Sequence, residues 1–496
     1  MTFSDIFTPV AKHAARDPEH PAFVFGGRTI TYGALIDEAR RLATVLEVRG
    51  IAGGDRVAIF SPNRPEIFSA YLALAILGAA IVPVNAEFSA HEVRHIIDHG
   101  EIRMLIHGSA QAGTAGEACA GAHAQPLVTE FEALLGEAAV APVYRGPVLG
   151  SGDDLALLCY TSGTTSLPKG VAATHRNELV SAQAYSDMMA IKPEDRELIA
   201  LPLTFSFGFH AAAYVALFSG ATIQLLPRFH PRDTLEAIEV LCPTIFLGVP
   251  TMFAMMADVA TKDERSYDLG SLRLAAASGA ALTDKIVSDF RAQTGVTVLP
   301  YYAMTEVRPI FSFDLQTGTL PPPGSVGRLI PPTEVRLVEE SGADALCGQP
   351  GELWVRGPSF SGAYFRDPER TAASMAGDWF RTGDLVVCDA EGNYFIVGRS
   401  REQIISGGAK IAPIEVETAL LAHPAISDVA VVGSPDPIFG QVVKAVVVTT
   451  DPNLGPEAVI DFCRGRVADY KVPRIVTFME TLPLAPSGKV LKTALV

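Results

Sequence analysis

A regular alternation of helix-like and strand-like apolar patterns is the sequence feature that most restricts the fold of this chain. Thr31 can cap a helix whose apolar positions recur at helical spacing as far as Gly50. A strand pattern at 57–60, a helical pattern at 65–77 and a second strand pattern at 81–83 follow. Strand, helix and strand in this order are typical of βαβ winding, so the sequence predicts an α/β fold.

The alternation continues over most of the chain and then stops. Strand patterns return at 197–203, 221–226, 244–249 and 272–278, which extends the α/β body to about residue 397. After a segment rich in charge and glycine, the chain shows a helix at 414–421, strands at 429–433 and 442–449, a helix at 456–468 and a strand at 474–478. About a hundred residues are enough for a domain. We therefore expect a large N-terminal α/β body of several subdomains over 1–398 and a small C-terminal α+β domain over 403–496.

Length, charge and cysteine spacing limit the classes of function. A chain of 496 residues is too long for one ordinary core, and 48% hydrophobic with 19% charged residues is typical of a globular protein. The net charge of −16 argues against a nucleic-acid partner, whose phosphates would be repelled. The six cysteines lie far apart without a CxxC pair, which predicts reduced thiols and neither a disulfide nor a zinc framework.

The N-terminal segment and the main apolar stretch give no targeting or membrane signal. The first residues lack a basic segment followed by an apolar one, and Pro83 and Asn85 interrupt the apolar stretch at 71–84. We therefore expect a cytoplasmic enzyme without stable membrane insertion.

The most informative stretch is YTSGTTSLPKGV at 160–171, in which small and hydroxylated residues run together before Lys169. Hydroxyls and bare backbone N–H groups can surround phosphate oxygens, and the lysine adds a positive charge. A Walker A loop would have glycine before the lysine and serine or threonine after it, but Pro168 and Gly170 stand there. The residues alone leave two readings open, a phosphate-binding loop and an ordinary polar hairpin tip.

Further motifs follow this loop: YYAMTE at 301–306, WFRTGDL at 379–385, GRSREQIISGGAKIAP at 398–413 and PSGKVLK at 486–492. In this order and at these separations they resemble the adenylate-forming superfamily of acyl-CoA synthetases, aryl-CoA ligases, luciferases and peptide-synthetase adenylation domains, and most of all the acyl-CoA synthetases. The resemblance runs from about Thr31 to Val496. It implies an ATP-dependent acid–CoA ligase that uses ATP, Mg²⁺ and CoA. Such an enzyme converts a carboxylate and ATP to an acyl-adenylate and pyrophosphate, then passes the acyl group to CoA and releases AMP.

The resemblance assigns nucleotide contacts to residues of these motifs. The ATP phosphates would be held by Thr161, Ser162, Gly163, Thr164, Thr165 and Lys169. Tyr302 would stack on adenine, as an aromatic face can, and Thr305 would bond the α-phosphate. Glu306 would hold Mg²⁺ through hard carboxylate oxygen. Asp384 would accept the ribose hydroxyls, and Arg399 would assist at the ribose or phosphate side.

The last two motifs are implied to serve catalysis and the thiol. Lys489 would be the adenylation lysine, which bridges the carboxylate and the α-phosphate as charge develops. In this family the small domain is mobile and rotates between the two half-reactions, about a hinge that would span 399–402 and center on Arg401. Rotation would bring Gly407 and Gly408 to the site as a passage for the pantetheine arm, although the pair also fits a hairpin turn. Lys410 would contact CoA phosphates or remain solvated.

By the same resemblance, the acid pocket would draw on Phe205, Phe207, Phe209, Gly248, Ser278, Gly279, Ala280, Met304 and Arg308. A lining of mostly aromatic and small residues suits an apolar acid of small to medium size, aliphatic or aromatic. Phe205 stands where the family often has a histidine, and His210 is expected to be structural. No aspartate that could pair with an α-ammonium group occurs between 201 and 213, which disfavours an amino-acid substrate. Arg308 has two readings: it points inward and favours a second carboxylate or a hydroxyl, or it faces a salt-bridge partner.

Three functions stay in competition. The main one is acid–CoA ligation, the second is the same adenylation with transfer to an acyl-carrier protein, and the third is a nucleotide-binding sensor without catalysis. Lys489, Glu306 and Asp384 argue against the sensor, because a pure binder has little need of an adenylation lysine. The sequence leaves open the identity of the acid, the thiol acceptor and the formation of a homodimer.

Overall fold

Four β-sheets and the helices that cover them make up the described part of the chain. The computed structural model describes residues 3–161, 168–263, 265–313, 321–362, 364–406, 409–464, 466–484 and 490–496, without the side chains of Arg401 and Lys410. Helices and strands are mixed throughout, with a large N-terminal body and a small C-terminal domain. The predicted α/β fold class is therefore confirmed.

The N-terminal body is built around two large sheets. Its strands are β1 (Pro21–Phe25), β2 (Arg28–Thr31), β3 (Arg56–Phe60), β4 (Ala80–Val84), β5 (Met104–His107), β6 (Leu127–Glu130), β7 (Leu155–Thr161), β8 (Lys169–Thr174), β9 (Arg196–Ile199), β10 (Thr222–Leu225), β11 (Ile245–Gly248), β12 (Leu274–Ala277), β13 (Val298–Tyr302), β14 (Phe311–Ser312) and β15 (Arg328–Leu329). Its helices are α1 (Phe7–Arg16), α2 (Tyr32–Val48), α3 (Glu66–Leu77), α4 (Ala90–His99), α5 (Ala112–Ala120), α6 (Phe131–Val140), α7 (His175–Met189), α8 (Val215–Ser219), α9 (Pro231–Leu241), α10 (Pro250–Lys262) and α11 (Asp284–Thr294). A π-helix, Phe207–Tyr214, runs directly into α8.

Both sheets are parallel at their centres. The six-stranded sheet has the order β6-β5-β3-β4-β7-β8, and β8 forms an antiparallel hairpin with β7. The nine-stranded sheet has the order β15-β14-β13-β12-β11-β9-β10-β1-β2 and is parallel from β13 to β1. Every residue of β4 and of β11 is buried, as expected for parallel strands that are covered on both faces.

Helices α2 and α3 follow from the sequence pattern. Thr31 caps α2, since its side chain accepts a hydrogen bond from the Ala34 N–H at 3.2 Å, which confirms the predicted cap. Every residue of α3 is buried, because a helix that is apolar on all sides lies inside a core. That core is shared by the two large sheets. Within the described ranges, no helix combines the length and the apolar character needed to cross a bilayer.

Residues 334–399 depart from the predicted alternation. The strands β16 (Glu334–Val338), β17 (Gly351–Arg356), β18 (Met375–Ala376), β19 (Trp379–Cys388) and β20 (Tyr394–Arg399) form an antiparallel sheet, with α12 (Pro368–Ala373) before β18. Burial alternates along β17, as it does where one face of an antiparallel sheet is covered. The α/β body that is expected to reach about residue 397 therefore ends in an antiparallel sheet, which the helix–strand alternation does not predict.

The last part of the chain has its own sheet and core. It contains β21 (Ile404–Ser406), β22 (Ala409–Ile411), β23 (Ile426–Asp436), β24 (Gly440–Thr449), β25 (Ile475–Phe478), α13 (Pro413–Leu421) and α14 (Pro456–Cys463). Val416, Val431 and Val459 belong to a separate cluster of buried side chains. The elements predicted here are present, but the helix expected at 456–468 ends at Cys463. The predicted domain limits, with a hinge at 399–402, stay a prediction.

Candidate active site

A buried carboxylate, Glu306, forms the centre of the first cluster of site residues. It follows β13 and is 6% exposed. Its Oε1 accepts hydrogen bonds from Lys169 Nζ and from the Tyr364 hydroxyl, both at 2.8 Å. Lys169 opens β8, and Tyr364 forms a backbone bridge with Val171 on the same strand. The β7–β8 hairpin therefore positions both partners of the carboxylate.

Burial and charge act in opposite directions on Glu306. Burial raises the pKa of its carboxyl, but the positive charge of Lys169 and the hydrogen bonds from Lys169 and Tyr364 outweigh burial and lower the pKa. Burial and the charge of Glu306 raise the pKa of Tyr364, whose hydroxyl stays protonated and donates. Glu306 is thus ionised at neutral pH. Ionised carboxylate oxygen is a ligand that Mg²⁺ prefers.

The second cluster joins Tyr302, Asp384 and Arg399. Asp384 lies on β19, is 1% exposed and pairs in register with Arg399 on β20. Arg399 Nε lies 2.7 Å from Asp384 Oδ1, and the Tyr302 hydroxyl donates to Oδ2. The Tyr302 ring stacks on Phe311 with ring centres 5.8 Å apart. The cluster combines an aromatic ring, an acceptor-only carboxylate and a partly exposed guanidinium, which are the groups that a nucleoside requires.

The segment 302–306 links the two clusters, with Tyr302 at one end and Glu306 at the other. Thr305 is half-buried between them. Thr161 pairs with Lys169 across the hairpin, and its buried hydroxyl has no hydrogen-bond partner in the described part of the chain. An unpaired buried hydroxyl is costly, so it fits a site where a phosphate oxygen supplies the bond. The residues present therefore fit a nucleotide with Mg²⁺.

Arg308 faces a salt-bridge partner, Glu178 on α7. The arginine is 4% exposed, the glutamate is fully buried, and Arg308 Nη2 bonds Glu178 Oε1. Arg308 Nη1 donates to Ser206 Oγ at 3.0 Å and to the Thr305 carbonyl at 2.9 Å. Burial raises the pKa of Glu178, but the Arg308 charge and the His210 contact outweigh it and lower the pKa. Of the two readings of Arg308, the structure supports the ion pair.

His210 is fully buried beside this ion pair. Its Nδ1 lies 2.6 Å from Glu178 Oε2, and its Nε2 lies 2.8 Å from Ser181 Oγ. Burial and the nearby Arg308 charge lower the pKa of His210, so the ring is neutral at neutral pH. A neutral imidazole that donates to Glu178 and accepts from Ser181 has both nitrogens satisfied. This confirms the expected structural role of His210.

Several residues predicted for the acid pocket lie at the carboxyl ends of β11 and β12. Gly248 ends β11, and its carbonyl accepts a hydrogen bond from the Ser278 N–H at 3.2 Å. Gly279 and Ala280 are exposed. Gly279 has φ +87°, a left-handed conformation that favours glycine. Neighbouring parallel strands thus bring these four residues to one edge of the nine-stranded sheet.

The remaining pocket residues lie around the start of the π-helix and beside Thr305. Phe205, Phe207 and Met304 are half-buried. Phe209 is 1% exposed, and its ring centre lies 4.9 Å from those of Phe68 and Tyr71. Phe209 is therefore a core residue, and a contribution of its side chain to the acid pocket stays a prediction.

Other predicted residues lie outside the described part of the chain: Ser162, Gly163, Thr164, Thr165, Gly407, Gly408, Lys489 and the side chains of Arg401 and Lys410. Their roles stay predictions. Conversely, Glu178 and Tyr364 belong to no motif, and sequence reasoning does not find them. The available signal for Glu178 is a polar stripe on α7, where Glu178, Ser181 and Tyr185 follow each other at helical spacing on a buried face.

Comparison with known families covers most of the chain. The family model described as "AMP-binding enzyme" matches residues 10–365. The model described as "AMP-binding enzyme C-terminal domain" matches residues 415–489.

Individual proteins match over nearly their full length. A feruloyl-CoA synthase of an Amycolatopsis species is 35% identical, covering 97% of this chain and 96% of that protein. An indoleacetate–CoA ligase of Aromatoleum aromaticum is 34% identical, with 97% and 96% covered. The crystal structure of ATP-bound MatB from Rhodopseudomonas palustris superposes with a TM-score of 0.92 at 30% identity, with 99% of this chain and 98% of that chain covered.

Proposed function

The chain belongs to the AMP-binding enzyme family, and from that membership we propose that it activates an apolar monocarboxylic acid of small to medium size, aliphatic or aromatic. It is an AMP-forming acid–CoA ligase that uses ATP, Mg²⁺ and CoA. The carboxylate and ATP give an acyl-adenylate and pyrophosphate, and the acyl group then passes to CoA with release of AMP. Since ATP and CoA are the cosubstrates, the proposed location is the cytoplasm.

The observation that carries the proposal is that contacts join four separate sequence motifs around the segment 302–306. Lys169 pairs with Glu306, and Tyr302 donates to Asp384. Arg399 in turn pairs with Asp384. Glu306 and Asp384 are thus buried carboxylates at the two ends of this segment, and each is paired with a cation. Positioning and charge neutralisation supply most of the acceleration in such a reaction, since no covalent enzyme intermediate is required. The buried hydroxyl of Thr161 is ready to donate to a phosphate oxygen.

The proposed phosphate contacts use the first cluster. Glu306 would hold Mg²⁺ together with the phosphates, and the metal would supply charge neutralisation at the phosphate oxygens. Lys169 is 25% exposed at its side chain. In our proposal its ammonium group contacts phosphate, as do Thr161 and the predicted phosphate contacts at 162–165 in the sequence. The Thr305 hydroxyl would bond the α-phosphate.

The proposed nucleoside contacts use the second cluster. Tyr302 would stack on adenine through the ring face opposite Phe311. A carboxylate has about four lone-pair positions on its two oxygens. Asp384 can therefore keep its hydrogen bond from Tyr302 and its ion pair with Arg399 and still accept ribose hydroxyls, since its Oδ1 has no hydrogen-bond partner among the described residues. Arg399 would assist at the ribose or phosphate side.

The small domain would supply the remaining groups in two orientations. In the first, Lys489 bridges the carboxylate and the α-phosphate as charge develops. In the second, after rotation about Arg401, Gly407 and Gly408 line the passage of the pantetheine arm and Lys410 contacts CoA phosphates. Rotation lets one site serve both half-reactions.

The acid class follows from the proposed pocket and from the relatives. Phe205, Phe207 and Met304 are half-buried apolar residues, and small residues stand at the ends of β11 and β12. Arg308 is engaged by Glu178. Two of the relatives are named as a feruloyl-CoA synthase and an indoleacetate–CoA ligase, and both names contain an aromatic acyl group or acid. Together these points support an uncharged acyl chain or ring.

The proposal is tested by measuring pyrophosphate and AMP release from Mg-ATP across a panel of acids, each with and without CoA. Fatty acids of short and medium length, benzoates and cinnamates are expected to raise AMP release, and CoA to accelerate it. Dicarboxylates and amino acids are expected to be poor substrates. Pyrophosphate release that CoA never accelerates would indicate a carrier-protein acceptor, and no release with any acid would indicate a nucleotide-binding sensor.

A further inference from the structure

A charge-neutral cluster contacts two chain segments that carry residues proposed for the acid pocket. Arg308 is 4% exposed, and its ion-pair partner Glu178 and the adjoining His210 are fully buried. The Tyr71 hydroxyl also donates to Glu178 Oε2, at 3.4 Å. None of these side chains is among the nucleotide contacts proposed above.

Hydrogen bonds to two chain segments, each next to proposed pocket residues, fix the position of the Arg308 guanidinium. Its Nη1 donates to Ser206 Oγ at 3.0 Å, between Phe205 and Phe207 in sequence, and to the carbonyl of Thr305 at 2.9 Å, next to Met304. Its Nε is buried and has no hydrogen-bond partner among the described residues. A positive charge therefore lies between the two chain segments that would surround the acyl group.

An unpaired arginine at this position would bind carboxylate strongly, because a guanidinium matches a carboxylate in charge and geometry. Glu178 removes that possibility, since its carboxylate already bonds Arg308 Nη2. His210 adds no charge, because its ring is neutral and donates to the other oxygen of Glu178. The cluster thus balances one negative and one positive charge.

We propose that Glu178 is a specificity-determining residue, which neutralises Arg308 next to the segments proposed for the acid pocket and thereby excludes acids that carry a second carboxylate. A second carboxylate would enter an apolar pocket without an available counter-ion, and burial of an unpaired charge is strongly unfavourable. An uncharged acyl end meets no such penalty. The inference rests on the proposed function, because it concerns the acid that this ligase accepts.

The test compares matched acids in wild type, Glu178→Gln and Glu178→Gln/Arg308→Gln. The acid pairs are hexanoate with adipate and cinnamate with 4-carboxycinnamate. In Glu178→Gln, the ratio of kcat/KM for the dicarboxylate to that for the monocarboxylate is expected to rise at least about tenfold. The double variant lacks the freed guanidinium, so its ratio is expected to return to within about threefold of wild type. An unchanged ratio in Glu178→Gln, or an equal rise in the double variant, would overturn the proposal.

A second readout does not depend on turnover. Adipate is expected to raise the melting temperature of Glu178→Gln and to leave wild type unchanged, because the added carboxylate can replace the missing partner of Arg308. If wild type activates no acid at all, the proposed function fails, whereas this thermal shift still tests the charge balance. Equal shifts in both proteins would overturn the inference.

A third variant covers the case in which Glu178→Gln does not fold. Glu178→Met/Arg308→Met replaces the ion pair by apolar side chains of similar volume, a change that buried ion pairs often tolerate. Because the cluster stays neutral, the ratio of dicarboxylate to monocarboxylate turnover is expected to stay within about threefold of wild type. A tenfold or larger shift toward the dicarboxylate, on the order of 1.4 kcal/mol, would contradict the role of charge.

Discussion

Two buried carboxylates, Glu306 and Glu178, are held in similar ways but differ in access to solvent. Each bonds a cation and a tyrosine hydroxyl, and in each case the cation lowers the pKa that burial alone would raise. The Lys169 side chain beside Glu306 is 25% exposed, whereas that of Arg308 beside Glu178 is 5% exposed. We call Glu306–Lys169 the open pair and Glu178–Arg308 the closed pair. In our proposals the open pair exchanges partners with a substrate, whereas the closed pair acts through charge balance.

Glu197 on β9 shows what burial does without a cation in contact. It is fully buried, and neither carboxylate oxygen has a hydrogen-bond partner in the described ranges. Burial raises the pKa of Glu197 to about 8. Compared with Glu306 and Glu178, Glu197 shows that a cation in contact, and not burial alone, determines whether a buried carboxyl is ionised at neutral pH.

The largest expected effect is on stability, from Glu178→Gln. Removing one partner of a buried pair leaves Arg308 uncompensated, so we expect the free energy of unfolding at pH 7 to fall by about 3–5 kcal/mol. Urea denaturation measures it. The matched control is Glu334→Gln, whose partner Arg356 lies 2.7 Å away on the surface with 42% of its side chain exposed, and the expected loss there is about 0–1 kcal/mol. Similar losses of stability in both variants would show that burial of an ion pair does not determine the effect of removing one partner.

Next in size is the effect of Glu306→Gln on catalysis. The variant keeps the shape of the side chain but removes the charge proposed to hold Mg²⁺, so acid-dependent ATP–pyrophosphate exchange is expected to fall by about 10²–10³-fold. Tyr364→Phe is the control, because it removes the two hydrogen bonds of the Tyr364 hydroxyl, to Glu306 and from Lys169, and keeps the ion pair between Glu306 and Lys169. It is expected to cost about tenfold or less. Exchange at the wild-type rate in Glu306→Gln would remove this carboxylate from the site.

Glu197→Gln is expected to change the pH dependence of stability. The ordinary pKa of the carboxyl is 4.5 and its folded value is about 8, so the unfolded state binds fewer protons between these values. Wild-type stability therefore falls as the pH rises from about 4.5 to about 8, by on the order of 3 kcal/mol. The Glu197→Gln variant is expected to lack this fall in stability. The control Glu194→Gln, at an exposed position, is expected to keep it. Parallel stability curves for wild type and Glu197→Gln, from urea denaturation at pH 5 and pH 8, would show that Glu197 is ionised when folded.

The smallest expected effect is on nucleotide affinity, from Asp384→Asn. The amide weakens the acceptor proposed for the ribose hydroxyls, so ATP binding measured by calorimetry is expected to weaken by about 10- to 30-fold. Asp378→Asn, an exposed change near the start of the same strand, serves as control. Unchanged affinity in Asp384→Asn would place the ribose elsewhere.

The sequence predicts the proposed nucleotide contacts better than it predicts the Glu178–Arg308 pair. Tyr302 and Glu306 lie within one short motif, and Asp384 lies in another, so their residue types and spacing are readable without the fold. The Glu178–Arg308 pair joins residues 130 positions apart, and no local pattern links them. Such a pair exists because α7 and the end of β13 pack together, which is a tertiary effect.

The fold could also be predicted only in part from the sequence. The cap at Thr31 and the apolar helix α3 could be predicted because local propensity and burial agree there. The antiparallel sheet from β16 to β20 could not, since no local sequence pattern separates its short strands from the rest of the α/β body. The π-helix Phe207–Tyr214 has no distinct sequence pattern, because every helix type shows similar apolar runs.

Linkage of an acid to CoA through an acyl-adenylate can be followed directly in a rapid-quench experiment. The enzyme is mixed with α-labelled Mg-ATP and an accepted acid without CoA, quenched, and then in parallel chased with CoA. We expect a labelled acyl-adenylate before the chase, and equal amounts of AMP and acyl-CoA after it. Labelled ADP in place of AMP, or an adenylate that CoA does not consume, would show that the reaction does not proceed through a productive acyl-adenylate.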